Sequence, residues 1–314
     1  MKAHQKNNHI IISDVFPRDG IQNLEQLITT EDKKNFIKGL VDIGMKDIEV
    51  TSFVNPKLMH QFYDSKEIAN YSLELAEDYN ISVSALAPNY IGAKNLYDSG
   101  LRNMNYVISV SETHNLKNIN RTVRQSIDDL KYIKDSLPDL NIRLVLATVF
   151  GCPFSGYIPT DLTIDILNKA SAFGISNVTL CDTIGVANPH QVKSILNDIM
   201  SLPSNFELSL HMHNTHGMAL ANIHQGIISG IKRFETAIGG LGGCPFAPGA
   251  AGNVATEDVV NMLHRMGLNT GIELGKLLTI LKSINNIIPN KINSQLFKAR
   301  SYSEFNFYQE SNNG

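Results

Sequence analysis

The chain has 314 residues, 43% hydrophobic and 18% charged, with 27 Lys plus Arg against 30 Asp plus Glu. That composition excludes a disordered polymer, and a net charge of −3 with no basic block argues against nucleic acid as the main partner. Three cysteines are too few and too odd for a disulfide framework, the start of the chain is polar, and no apolar run approaches about 18 residues, so the expectation is a cytoplasmic protein with no membrane partner.

Short runs rich in Ile, Val and Leu alternate with longer segments of helical spacing. The first strand is predicted over 9–14, then a helix over 30–43 with Thr29 or Thr30 as cap and Gly44 as stop. Strands at 47–51 and 81–86 precede helices at 64–79 and 89–98. A strand at 105–110 leads to a helix at 121–137, and one at 142–149 leads to a helix at 161–173. Strands at 177–181, 207–211 and 233–238 alternate with helices at 189–202, 218–229 and 256–266. A further helix covers 273–288.

Eight β-then-α units close into a barrel or lie as an open sheet. The barrel is favoured on three grounds. No Gly-x-Gly-x-x-Gly follows the first strand, no linker halves the chain, and the chemically interesting residues all follow strands, where a barrel gathers them at one mouth. The expected fold is therefore α/β, a (β/α)8 TIM barrel with an extra C-terminal helix over 9–288 and a polar tail over 289–314.

His211 and His213 end the seventh strand, and residues two apart in a strand share a side. Asp19, past the first strand, offers an oxygen, and Asn253, after the eighth, offers an amide carbonyl. Two imidazoles, a carboxylate and an amide suit an octahedral divalent ion such as Mg²⁺ or Mn²⁺, and the lack of thiolates argues against structural zinc. Arg18 reads either as a salt bridge beneath the rim or as a fixed cation for an enolate oxygen. Glu49 needs a partner if buried, and Arg18 is the obvious one. Asp182 is a proton acceptor, a support for a histidine, or a helix cap. Cys244 sits in a glycine-rich loop over 239–253 that reads either as a phosphate cradle or plain connector or as the carrier of a proton-transfer thiol, whereas Cys152 and Cys181 read as packed thiols.

These residues lie within longer matches: Pro17-Arg18-Asp19-Gly20-Ile21-Gln22-Asn23, Ile48-Glu49-Val50-Thr51-Ser52-Phe53-Val54, Ser111-Glu112-Thr113-His114-Asn115, and Asp182-Thr183-Ile184-Gly185. His211-x-His213, Gly239 to Gly243 with Cys244, and Gly252-Asn253 with Thr256-Glu257-Asp258 complete the set. Over 10–285 the chain resembles the 3-hydroxy-3-methylglutaryl-CoA lyase family of aldolase-barrel metallolyases. The resemblance implies a divalent cation on Asp19, His211, His213 and Asn253. It implies catalytic roles for Arg18, Glu49, Asp182, His211 and Cys244, and acyl-CoA contacts for Arg18, Gln22, Ser52 and Lys117. It also implies retro-Claisen cleavage, a homodimer, and a place in leucine degradation and ketone-body metabolism. Lys117, Arg121 and Arg124 are candidates for the CoA phosphates, with a solvated helix start as the alternative. Departures from the family pattern are Phe16 for Gly, Asn214 for Asp, His216 for Tyr or Arg, Cys181 for Gly and Phe154 for Tyr. The rivals are a Claisen-condensing synthase of the isopropylmalate synthase type, a lyase for a related 3-hydroxyacyl-CoA, and a non-catalytic barrel.

Overall fold

A computed structural model describes residues 8–243 and 252–299. Eight parallel strands run in sequence order and close, β1 pairing with both β2 and β8. They are β1 (Ile11–Asp14), β2 (Asp47–Ser52), β3 (Ser82–Leu86), β4 (Asn103–Ser109), β5 (Asn141–Ala147), β6 (Asn177–Asp182), β7 (Glu207–Met212) and β8 (Arg233–Thr236). The crossovers are α1 (Thr30–Asp42), α2 (Ser65–Tyr79), α3 (Tyr90–Asp98), then α4 (Glu112–Ile119) and α5 (Val123–Ser136). After these come α6 (Thr160–Ala172), α7 (Pro189–Met200), α8 (Ala219–Ile228), α9 (Thr256–Arg265), α10 (Leu274–Ile287) and α11 (Gln295–Lys298). The expected (β/α)8 barrel and its extra C-terminal helix are present.

The strands alternate between two surroundings. Residues such as Ile48, Tyr106, Leu144, Leu210 and Phe234 are fully buried in the apolar layer between barrel and helices. Gly226 of α8 lies so close there that a Cβ would come within 2.6 Å of Leu210. The residues between them are mostly polar and reach across the lumen between alternate strands, as barrel layers do. Asn105 of β4 donates to Glu49 of β2 at 2.8 Å. Thr179 of β6 donates to Glu235 of β8 at 2.7 Å. Arg143 of β5 donates to Ser209 of β7 at 2.6 Å. At the N-terminal rim, Asn177 donates to Asn141 and Asn141 to Asn103, each at 3.0 Å.

Two elements differ from the sequence reading. α4 precedes the helix predicted at 121–137 and is separated from it by Asn120 in the left-handed region (φ 53°). Ser111 caps α4, and Thr122 with Gln125 forms a capping box on α5. The polar segment after Asn290 packs onto the barrel through Ile292, Ser294, Leu296 and Phe297. Asp258 at the start of α9 accepts from the Ser294 hydroxyl at 3.0 Å and from the amides of Gln295 and Leu296 at 2.9 and 2.8 Å. The Asn293 amide donates to the Gly239 carbonyl at 2.7 Å.

Asp14 closes β1 and is fully buried; it accepts from the Phe16 amide at 2.9 Å and the Thr256 hydroxyl at 2.6 Å. Burial pushes its carboxyl up from 3.8 to about 7 despite those bonds. The unfolded chain therefore ionises Asp14 first, and the folded state loses stability relative to it as pH rises from about 4 toward 7. Asp14→Asn removes this charge and retains an acceptor for Phe16. Urea midpoints at pH 5 and pH 8 should move in favour of the variant at the higher pH; an equal gap at both would refute the buried, proton-holding Asp14.

Candidate active site

The site begins where β1 ends. Held by Asp14, the chain enters a π-helical turn over Phe16–Gly20, in which the amides of Arg18, Asp19 and Gly20 all reach the Val15 carbonyl. The turn carries Arg18 and Asp19 into the barrel mouth. Phe16 is fully buried and its ring lies 5.2 Å from that of Phe36. This departure is thus absorbed by the core, and it explains Gly20, where a Cβ would stand 2.5 Å from the Phe16 ring.

Arg18 joins the first acidic groups. Its Nε donates to Glu49 Oε2 at 2.7 Å, a second guanidinium nitrogen lies 2.6 Å from the same oxygen, and a third donates to Asp19 at 2.6 Å. Burial pulls Arg18 down, but Glu49 and Asp19 together hold it above its ordinary value. Burial raises Glu49, partly offset by Arg18 and by the Asn105 bond. Asp19 also accepts from Gln22 at 2.7 Å and from Asn253 at 2.6 Å. Against burial, the Arg18 charge and the two histidines keep it below the usual carboxylate range.

Strand register builds the other half. Cys181 of β6 pairs with His211 of β7, which pairs with Glu235 of β8. His211 Nδ1 lies 3.0 Å from Glu235 Oε2, and His211 Nε2 lies 3.1 Å from His213 Nε2. Burial lowers both rings; Glu235 lifts His211 back above its ordinary value, while the nearby His211 pushes His213 further down. Ligand atoms of Asp19, His211 and His213 all lie within 4.8 Å of one another, and all three residues are buried. Two facing imidazole nitrogens and a carboxylate fit one divalent ion. Asn253 spends its N–H groups on Asp19 and, at 2.9 Å, on the Leu241 carbonyl.

These groups form the polar end of a cavity of about 250 Å³. Its remaining wall includes Ser52, Val54, Met59, Val107, Val145 and Cys181. His114 on α4 also lines it, with Nδ1 2.7 Å from the Ser109 hydroxyl, and burial lowers that ring to about 4. Of the expected substrate contacts, Gln22 and Ser52 line the cavity. Lys117 is exposed on α4, its Nζ 4.1 Å from the centre of the Phe154 ring. Arg121 is tied to Asp129 at 2.7 Å, and Arg124 is exposed.

Asp182 stands apart. Its carboxylate oxygens accept from the Val186 and Ala187 amides, each at 3.0 Å, and burial raises it to about 6. It organises the loop after β6, whereas the carboxylate bonded to His211 is Glu235. Sequence reading missed Glu235, although an acidic residue between Phe234 and Thr236 in a buried strand was a signal. Asn214 and His216 tie loops together: the Asn214 amide donates to the Gly252 carbonyl at 2.8 Å, and His216 Nδ1 donates to the Gly185 carbonyl at 2.9 Å. Cys152 is buried against Ser111, its Sγ 3.1 Å from that hydroxyl. Cys244 lies outside the described residues; Gly243 lines the cavity and accepts from Asn23 at 2.7 Å.

A family model described as HMGL-like matches residues 9–284. The chain belongs to the HMGL-like family. It is 40% identical over 296 residues to a hydroxymethylglutaryl-CoA lyase of Bacillus subtilis, covering 92% of this chain and 98% of that protein. It is 34% identical over 285 residues to a (R)-citramalyl-CoA lyase of Chloroflexus aurantiacus, covering 86% and 88%. An HMG-CoA lyase structure from Acinetobacter baumannii, in complex with coenzyme A and 3-methylmalate, superimposes with a TM-score of 0.88 at 35% identity, covering 96% and 98%. In this HMGL-like chain the Arg18–Glu49 pair is the element most exposed to test. Removing one partner of a buried pair costs about 3–5 kcal/mol, whereas replacing both is often near neutral. Arg18→Met alone should lower the denaturation midpoint sharply, and adding Glu49→Gln should recover much of it. Equal midpoints for single and double variants would contradict the pairing.

Proposed function

We propose that this chain cleaves 3-hydroxy-3-methylglutaryl-CoA to acetyl-CoA and acetoacetate, with Mg²⁺ or Mn²⁺ on Asp19, His211 and His213. The observation that carries the reading is one constellation: a fixed guanidinium beside a three-residue ligand group, at the polar end of a cavity with apolar walls. The family membership and the lyases similar to this chain support it. A divalent cation bound there would supply charge to acidify the tertiary hydroxyl of the substrate.

The chain's own groups carry the rest. Arg18, held by Glu49 and Asp19, faces the charge that gathers on the thioester oxygen as the carbon–carbon bond breaks. From the resemblance, Asp182 is the proposed acceptor of the hydroxyl proton; its carboxyl, raised by burial to about 6, also accepts from the Val186 and Ala187 amides, so it would receive that proton while still bonded to the loop after β6. Cys244 is the proposed donor that reprotonates the enolate carbon, in keeping with its place beside Gly243 in the chain. Gln22 and Ser52 would orient the acyl group, and Asn253 would complete the ion's surroundings. From the resemblance we also infer a homodimer, and from the cysteine usage a cytoplasmic protein. Among the described residues no helix is long and apolar enough to cross a membrane.

Purified protein with Mg²⁺ or Mn²⁺ should release acetoacetate from hydroxymethylglutaryl-CoA, lose the activity on chelation and regain it on adding either ion. Citramalyl-CoA belongs in the same assay, because one relative bears that name. A folded protein that cleaves citramalyl-CoA and leaves hydroxymethylglutaryl-CoA intact would overturn the proposed substrate. Lys117→Glu should raise KM and spare kcat if Lys117 meets the CoA phosphates. Cys244→Ser should lower kcat by about 10²–10⁴ while ion binding persists; near-parental turnover would remove the thiol from the mechanism.

A further inference from the structure

Two buried carboxylates stand in the lumen below the mouth, and their bonding patterns match. Glu49 on β2 holds Arg18 above it and is anchored by Asn105 on β4 at 2.8 Å. Glu235 on β8 holds His211 and is anchored by Thr179 on β6 at 2.7 Å. In each case a neutral donor two strands away fixes one oxygen, which leaves the other to aim a group at the cavity. Thr179 is fully buried and Glu235 nearly so.

We infer that Glu235, locked by Thr179, is a positioning residue that fixes His211 with its proton on Nδ1 and its Nε2 toward the ion. This rests on the proposed metal site and adds a role for two residues outside it. An ionised carboxylate only accepts hydrogen bonds, so the His211 Nδ1 facing Oε2 must carry hydrogen. The neutral ring then offers its lone pair at Nε2, the atom 3.1 Å from His213 Nε2. Without Glu235 the tautomer with hydrogen on Nε2 becomes available, and that tautomer cannot ligate through this atom. Asp182 does not substitute, because its oxygens are taken by the Val186 and Ala187 amides.

The test needs no substrate. Mn²⁺ binding to the full chain, read by electron paramagnetic resonance, should weaken about 10–100-fold in Glu235→Gln. Thr179→Val should weaken it less, and Thr179→Ser should restore it, because only the hydroxyl matters. The Thr179 pair carries the test if Glu235→Gln fails to fold. Nitrogen-15 resonances of His211 in the ion-free protein give a second readout, independent of the metal reading. Nδ1 should be protonated in the parent and lose that preference in Glu235→Gln. Parental Mn²⁺ affinity in both Glu235→Gln and Thr179→Val, or a parent His211 protonated on Nε2 alone, would overturn the inference. A parent that keeps Nδ1 protonated but binds no Mn²⁺ would overturn the ligand role, and would locate the failure in the proposed metal site.

Discussion

A charge moved into the lumen of a barrel costs several kcal/mol unless it is partnered, and this molecule brings Arg18, Asp19, Glu49 and Glu235 into that setting together with two histidines. Each is matched. Glu49 lies between Arg18 and Asn105, Glu235 between His211 and Thr179, and Asp19 gathers Arg18, Gln22 and Asn253. His211 Nε2 and His213 Nε2 face each other at 3.1 Å, a spacing that places a proton or a cation between them. The polar lumen thus supports an upper surface where ligand atoms of Asp19, His211 and His213 lie within 4.8 Å of one another.

The surrounding architecture keeps that surface in place. The strands turn Ile48, Leu144, Leu210 and Phe234 outward into the helical layer, so hydrophobic burial holds the barrel and leaves the lumen free for polar residues. Above the strands, the loops are also tied to one another. Asn214 holds Gly252, His216 holds Gly185, and Asn293 holds Gly239 at the root of the glycine-rich segment. Asp258 fixes the start of α11 through Ser294 and two amides, so the C-terminal segment braces Gly239 and the start of α9.

Much of this was legible in the sequence because it depends on local periodicity. The alternation of strands and helices, the Thr29 cap and the common side of His211 and His213 all follow from spacing along the chain. Asp19 was legible because the first β-to-α loop opens at the mouth. Contacts across the lumen were not, since spacing does not reveal register between distant strands. Asp182 was the visible candidate for supporting a histidine, and Glu235, 24 residues from His211, provides the bond. α4 was missed because its buried residues, His114 and Asn115, are polar and leave no apolar stripe. The segment after Asn290 looked like a tail because its anchor is Asp258, a buried carboxylate bonded mainly to backbone.

The central claim is that Asp19, His211 and His213 share one divalent ion. Anomalous diffraction from crystals of the full chain grown with Mn²⁺ tests it most directly. The account predicts a single strong peak bonded to one carboxylate oxygen of Asp19 and to Nε2 of both histidines, with His211 Nδ1 still on Glu235. An ordered site with no peak there, the two ring nitrogens still about 3 Å apart and Mn²⁺ bound elsewhere, would contradict it.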